Sequence, residues 1–189
     1  MLATYLALLR GINVGGKNKL PMKDLLDMFV EAGCSDARTY IQSGNVVFRV
    51  DPRDVATLPD VIAARIAEHF GYRAPVLLRT AAQIDEVVQN NPFVGQGAAE
   101  ETLHVLFLAE RPDVRRVDNL DLDRSPPDTF IVRGQEIYLR LPHGAARTKL
   151  TNDYFDRALV TTSTGRNWRT VSTLFELMHS GAGGAGNAV

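Results

Sequence analysis

Between Ala3 and Arg79, short apolar runs of strand character alternate with helical stripes, and glycine or proline breaks most junctions. Met1–Leu9 is apolar and closed by Arg10, with no basic lead and no cleavage pattern, and it is too short to cross a membrane. It reads as a core strand. Met22, Leu25, Leu26, Phe29 and Val30 recur at helical spacing, with Pro21 in the first turn and Gly33 at the end. Arg38–Gln42 and Val46–Val50 flank Ser43-Gly44-Asn45, which predicts a hairpin. A second stripe (Leu58, Val61, Ile62, Ile66, Phe70) is closed by Gly71, and Pro75–Arg79 follows as a strand. An order of β-α-β-β-α-β is satisfied by one antiparallel sheet with both helices on one face. The expected fold class is therefore α+β, with a ferredoxin-like subdomain over residues 1–80.

A second small α+β subdomain is expected over 81–180. Thr80-x-x-Gln83 is a capping-box pattern opening a helix, and His104–Ala109 reads as a strand. A weakly patterned helix begins near Pro112, and Phe130–Val132 with Ile137–Leu141 forms a second hairpin around Gly134-Gln135. Two closing helices carry Tyr154, Phe155 and Ala158, then Val171, Leu174, Phe175 and Met178. This half echoes the first in element order without matching residues. The Gly/Ala-rich segment 181–189 is expected to be a disordered tail.

Charge narrows the partners. The 189 residues carry 21 basic and 22 acidic side chains, so any anion site must be a local patch. The single cysteine, Cys34, excludes an internal disulfide framework and a cysteine metal cage, and a cytoplasmic location is the expectation. The four histidines show no metal-ligand spacing, and no metal or cofactor is implied.

Leu8-Leu9-Arg10-Gly11-Ile12-Asn13-Val14-Gly15-Gly16-Lys17-Asn18-Lys19 has the composition of an anion cradle. Gly11-x-x-x-x-Gly16-Lys17-Asn18 nearly spells a phosphate-binding P-loop, but Asn18 stands where a hydroxyl would hold magnesium. Pro21 also delays the helix past the lysine, so a nucleotide-hydrolysing P-loop is rejected. What remains is an anion held by backbone N–H groups with Lys17 or Lys19, or else a tight turn with solvated lysines.

Three further polar segments stand out. In Tyr40-Ile41-Gln42-Ser43-Gly44-Asn45, strand alternation would put Tyr40 and Gln42 on one face. Arg147-Thr148-Lys149-Leu150-Thr151-Asn152 sits at a helix start, where the dipole favours anions, or where a threonine cap and two surface cations would suffice. Ser163–Thr170 also leads into a helix. If Arg166 and Arg169 are both helical they share a face suited to a phosphate or carboxylate, while Trp168 reads as a core anchor.

These segments, together with Thr39–Phe48 and Arg166-Asn167-Trp168-Arg169-Thr170-Val171, resemble the bacterial domain-of-unknown-function family 1697 from about Tyr5 to Leu177. The resemblance implies a two-subdomain α+β architecture with a ferredoxin-like part, and it implies no activity. Gly165 departs from the family, whose members often carry a bulkier residue such as Thr there. Four motifs of poor core material favour one shared site. Its expected ligand-binding residues are Arg10, Asn13, Gly15, Gly16, Lys17, Lys19, Tyr40, Gln42, Ser43, Asn45, Lys149, Asn152, Arg166 and Asn167.

The leading expectation is a binding module for a phosphorylated or otherwise anionic small molecule. A nucleic-acid end is a less favoured sub-case, because only Tyr40 and Trp168 could stack. The alternatives are an enzyme acting on such an anion without a covalent nucleophile, and a protein-interaction scaffold using a free edge strand. No membrane partner is expected, and the sequence leaves the oligomeric state open.

Overall fold

The computed structural model describes residues 1–180, so the tail expected at 181–189 lies outside the described residues. The first half runs β1 (Ala3–Leu9), α1 (Met22–Glu31), β2 (Ser35–Tyr40), β3 (Asn45–Val50), α2 (Leu58–Phe70), β4 (Val76–Thr80) and α3 (Ala81–Gln89). The second runs β5 (Leu103–Leu108), α4 (Val114–Asp118), β6 (Thr129–Arg133), β7 (Glu136–Arg140), α5 (Asn152–Leu159), β8 (Ser163–Asn167) and α6 (Trp168–His179). The fold is α+β, and the described residues form two four-stranded antiparallel sheets and six α-helices.

The two sheets have one topology. Their orders are β2-β3-β1-β4 and β6-β7-β5-β8, so each strand of the first half has a counterpart in the second. Registers align the same way. Tyr5 pairs with Thr80 and Leu9 with Val76, as His104 pairs with Asn167 and Leu108 with Ser163. The echo in element order is a duplicated topology.

Alternation along the strands builds three cores. Tyr5, Ala7 and Leu9 face outward with Phe48 under α1 and α2, where the Phe29 and Phe48 rings meet at a tilt, 5.0 Å between centroids. Leu6 and Leu8 face inward and meet Val105 and Phe107 of the second sheet, with α3 and α6 sharing this central layer. Leu106 and Leu108 face outward again, under α5 and the α4 segment. Trp168 is buried in the central layer, the anchor expected of it. Thr80 and Gln83 close the predicted capping box of α3. Among the described residues no helix is long and apolar enough to cross a membrane.

Two local expectations are corrected. Ser163–Asn167 is an edge strand, so Arg166 lies in β8 and Arg169 in α6, and they do not share a helical face. The strand β2 ends at Tyr40, because Ile41 takes a left-handed φ of 50° and Gln42 belongs to the turn. Tyr40 and Gln42 are therefore not on one strand face.

Candidate functional site

Arg166 stands on the inward face of β8 and is buried. Its Nε–H donates to Asn45 Oδ1, its Nη1 to Thr164 Oγ1 and the Gly165 carbonyl, and its Nη2 to the carbonyls of Leu9 and Ser43. A guanidinium has five N–H donors, and each is matched here. Burial pushes its pKa down to about 10. The anion-binding role expected of Arg166 gives way to a closed junction: no donor is left over, and the guanidinium ties the second half to the β1 end and β2–β3 turn of the first. Gly44 makes this approach possible, since a Cβ there would lie 2.7 Å from Leu9 Cβ and from the Ile12 side chain.

Arg79 does the reciprocal work from β4. Its Nη2 donates to the carbonyls of Leu108 and Gln135, and its Nε to Glu136, at the β5 end and β6–β7 turn. Burial raises the Glu136 pKa, and the Arg79 charge opposes that shift.

Several expected ligand residues are engaged by protein partners, some across the junction and some within the first half. Arg10 pairs with Asp153 and Asp156 of α5. Asn13 Nδ2 donates to the carbonyls of Leu20 and Gln42, and Asn13 Oδ1 accepts from the Leu20 amide. Asn45 donates to the Tyr40 carbonyl and the Ser43 hydroxyl. The Tyr40 hydroxyl reaches toward Thr173 of α6. From this base the segment Val14–Lys17 projects as a tight turn, with Gly15 and Gly16 both at positive φ and the Lys17 amide bonded to the Val14 carbonyl. Gly15, Gly16, Lys17 and Lys19 are exposed on this finger.

A cleft of about 280 Å³ lies on the outward face of the second sheet, beneath the chain between β7 and α5. His104, Leu106, Leu139 and Leu141 line its sheet side. Thr148, Leu150, Thr151 and Asn152 line another wall, and Gly165 and Asn167 complete it. Two of the four motifs, Thr148–Asn152 and Gly165–Asn167, thus meet here. Thr151 caps α5 by accepting from the Tyr154 amide, and Asn167 caps α6 by accepting from the Thr170 amide, so two helix N-termini border the cleft. Asn152 Nδ2 donates to Ser163 and holds that wall to β8. Lys149 is exposed and is not among the lining residues.

The first half explains why this space is open. At the register position of His104 the first sheet has Tyr5, and at that of Gly165 it has Leu78. A Cβ on Gly165 would lie 2.8 Å from Leu106 Cδ2, so the missing side chain is what keeps the cleft clear. His104 was set aside in the sequence because it has no metal-ligand spacing. Its Nδ1 is buried with no hydrogen-bond partner among the described residues. Burial lowers its pKa, with the Thr102 backbone opposing, so the imidazole is neutral near pH 7.

Duplicated sheets locked by two arginines, with a cleft in the second half at register positions that Tyr5 and Leu78 occupy in the first, define the class: a tandem α+β protein with differentiated halves. The chain belongs to the family described as protein of unknown function (DUF1697), whose model matches residues 2–138. Its fold is similar to that of the conserved bacterial protein SP0830 from Streptococcus pneumoniae, at 24% identity and a TM-score of 0.72 over 94% of this chain and 99% of that one. No curated protein matches the chain. The Thr148–Asn152 and Gly165–Asn167 walls of the cleft lie beyond the family match.

Proposed function

We propose that the protein is a binding module for a small anionic ligand, held in the cleft between the N-termini of α5 and α6. The observation that carries this reading is the contrast between the halves: one topology closes the space with Tyr5 and Leu78 and opens it with His104 and Gly165. The lining has no carboxylate to repel an anion. Helix N-termini add N–H donors and a positive potential, and the neutral imidazole adds a further polar contact. The lone cysteine and balanced charge fit a cytoplasmic setting.

A second reading, an enzyme acting on that anion, is favoured by one observation. A neutral imidazole lines the same cleft and could accept a proton there. No second titratable side chain lines it, which is why binding ranks first.

The test is a thermal-shift panel of nucleotides, sugar phosphates, short oligonucleotides and carboxylates on the intact chain and on Gly165→Leu. Ligand at about a hundred times its Kd stabilises by roughly 2.7 kcal/mol, a readily measured rise in Tm. A shift in the wild type that is lost in Gly165→Leu supports the reading. A shift retained in that variant, or no shift at all, contradicts it.

A further inference from the structure

The two sheets end differently at their hairpin edges. In the orders β2-β3-β1-β4 and β6-β7-β5-β8, the edge strands β2 and β6 occupy equivalent places. The β2 edge is broken: its register with β3 shifts between Ser35 and Arg38, and Asp36 takes a left-handed φ of 50°. Bulges and charges of that kind blunt an exposed edge. The β6 edge has no such break. Its residues, Thr129-Phe130-Ile131-Val132-Arg133, pair with β7 in continuous register.

That register decides which backbone groups β6 leaves unpaired. The hairpin closes at Arg133 and Glu136 around Gly134-Gln135, with Gly134 at a φ of 61°, so the closing pair exchanges both hydrogen bonds. Alternation then bonds Ile131 and Thr129 to β7 and turns the N–H and C=O of Phe130 and Val132 away from it. Among the described residues these outward groups find no backbone partner. A row of unpaired edge groups is a template for a further strand.

The unpaired groups are symmetric about Ile131, and this selects the partner. A second β6, run antiparallel about a two-fold axis at Ile131, sets Phe130 of each copy opposite Val132 of the other. Each of these pairs exchanges both hydrogen bonds, and no outward group is left over. Phe130 meets Val132 on the outward face, where both already pack, and Ile131 meets its own counterpart on the inward face. Aromatic and β-branched pairs of this kind are favourable across strands. Arg133, the one charge in the strand, falls opposite Thr129 and not opposite itself. With 21 basic and 22 acidic side chains, no large net charge drives two copies apart.

We infer that two copies of the chain associate through β6, so that their second-half sheets join edge to edge into one continuous antiparallel sheet. The strand contributes no residue to the cleft lining, so pairing leaves the cleft open.

Analytical ultracentrifugation of the intact chain from about 10 µM to about 1 mM tests this, a range suited to a short edge. A rise in mass from monomer toward dimer is expected. Val132→Pro removes an outward N–H that β7 does not use, and it is expected to fold and to stay monomeric throughout. Diamide oxidation of Ile131→Cys is expected to give a disulfide-linked dimer, because the two-fold axis sets the two thiols opposite each other. Thr129→Cys faces Arg133 and should cross-link at least about tenfold more slowly. Cys34 is buried, and the wild type serves as its control. Hydrogen exchange at the Phe130 and Val132 amides of the wild type should slow as concentration rises, a readout that needs no variant. A monomer at every concentration overturns the inference. So does a dimer in which those amides exchange as they do in the monomer, or equal cross-linking at the two cysteine positions.

Discussion

Arg79 and Arg166 are counterparts. Each stands one residue before the N-cap of the helix that follows its half's last strand, and each donates to the carbonyl of the final residue of the other half's first strand, Leu108 and Leu9. Both also reach the other half's hairpin turn, Gln135 from one side and Ser43 from the other. The two halves are thus fastened by reciprocal, buried guanidinium contacts. The chemistry differs at one point: Arg79 meets the carboxylate of Glu136, whereas Arg166 meets the neutral amide of Asn45.

Arg166→Ala leaves the Ser43 carbonyl and Asn45 Oδ1 without their donor, and leaves the Leu9 carbonyl with the Thr164 hydroxyl alone. A loss of about 3–5 kcal/mol in urea unfolding is expected. Arg166→Lys should recover little, because an ammonium cannot supply the fork. A ligand-binding arginine would instead lose affinity with stability unchanged, so the two roles separate in one experiment.

Gly44 and Gly16 both have positive φ, but their surroundings differ. Gly44→Ala adds a Cβ 2.7 Å from Leu9 Cβ, while at Gly16 the added atom meets open space. Gly16→Ala is expected to cost about 1–2 kcal/mol for the left-handed backbone alone. Gly44→Ala should cost clearly more and loosen the Arg166 junction. Equal losses by chemical denaturation would contradict the packing described for the turn.

Asn13 holds the finger by three hydrogen bonds, two of them with Leu20. Asn13→Ala should speed hydrogen exchange at the Leu20 amide and leave exchange in β5 and β7 unchanged, with a global cost of about 1–3 kcal/mol. Unchanged exchange at Leu20 would show that the finger holds its shape without Asn13.

The His104 pKa is lowered in the folded protein, below its ordinary 6.5. The unfolded chain therefore binds the extra proton first, and stability falls as pH drops through 6.5 toward the folded value. His104→Gln should flatten the stability profile in that window relative to the wild type. Glu136 acts in the opposite sense at lower pH. Its pKa is raised, so the stability it contributes below 4.5 is lost as pH rises through its folded value. Parallel profiles for the wild type and His104→Gln would contradict the buried environment assigned to the imidazole.

The order β-α-β-β-α-β was legible because Leu25, Phe29, Ile62 and Ile66 carry helical spacing and Val46–Val50 is unbroken strand. The strand β8 was not, because the inward positions of Ser163–Asn167 are Thr164 and Arg166. Hydrogen bonds to Leu9, Ser43 and Asn45 replace apolar burial there, so no hydrophobic alternation marks the strand. The motifs were correctly seen as unlike core material, yet Arg166 binds Asn45 and Arg10 binds Asp153 and Asp156 across the junction, while Asn13 braces its own loop. His104 gave no signal, since one histidine in an apolar run looks like a core residue. The departure at Gly165 was visible, but its meaning depends on the register that sets it beside Leu106.

Amide chemical-shift mapping of the intact chain during titration with 4-methylpentanoate, and separately with inorganic phosphate, tests the central claim most directly. Saturable changes centred on His104, Asn152, Gly165 and Asn167 with at least one of the two anions are the expected result. Changes centred on Gly15–Lys19, or none with either anion, would contradict a ligand site in the second half.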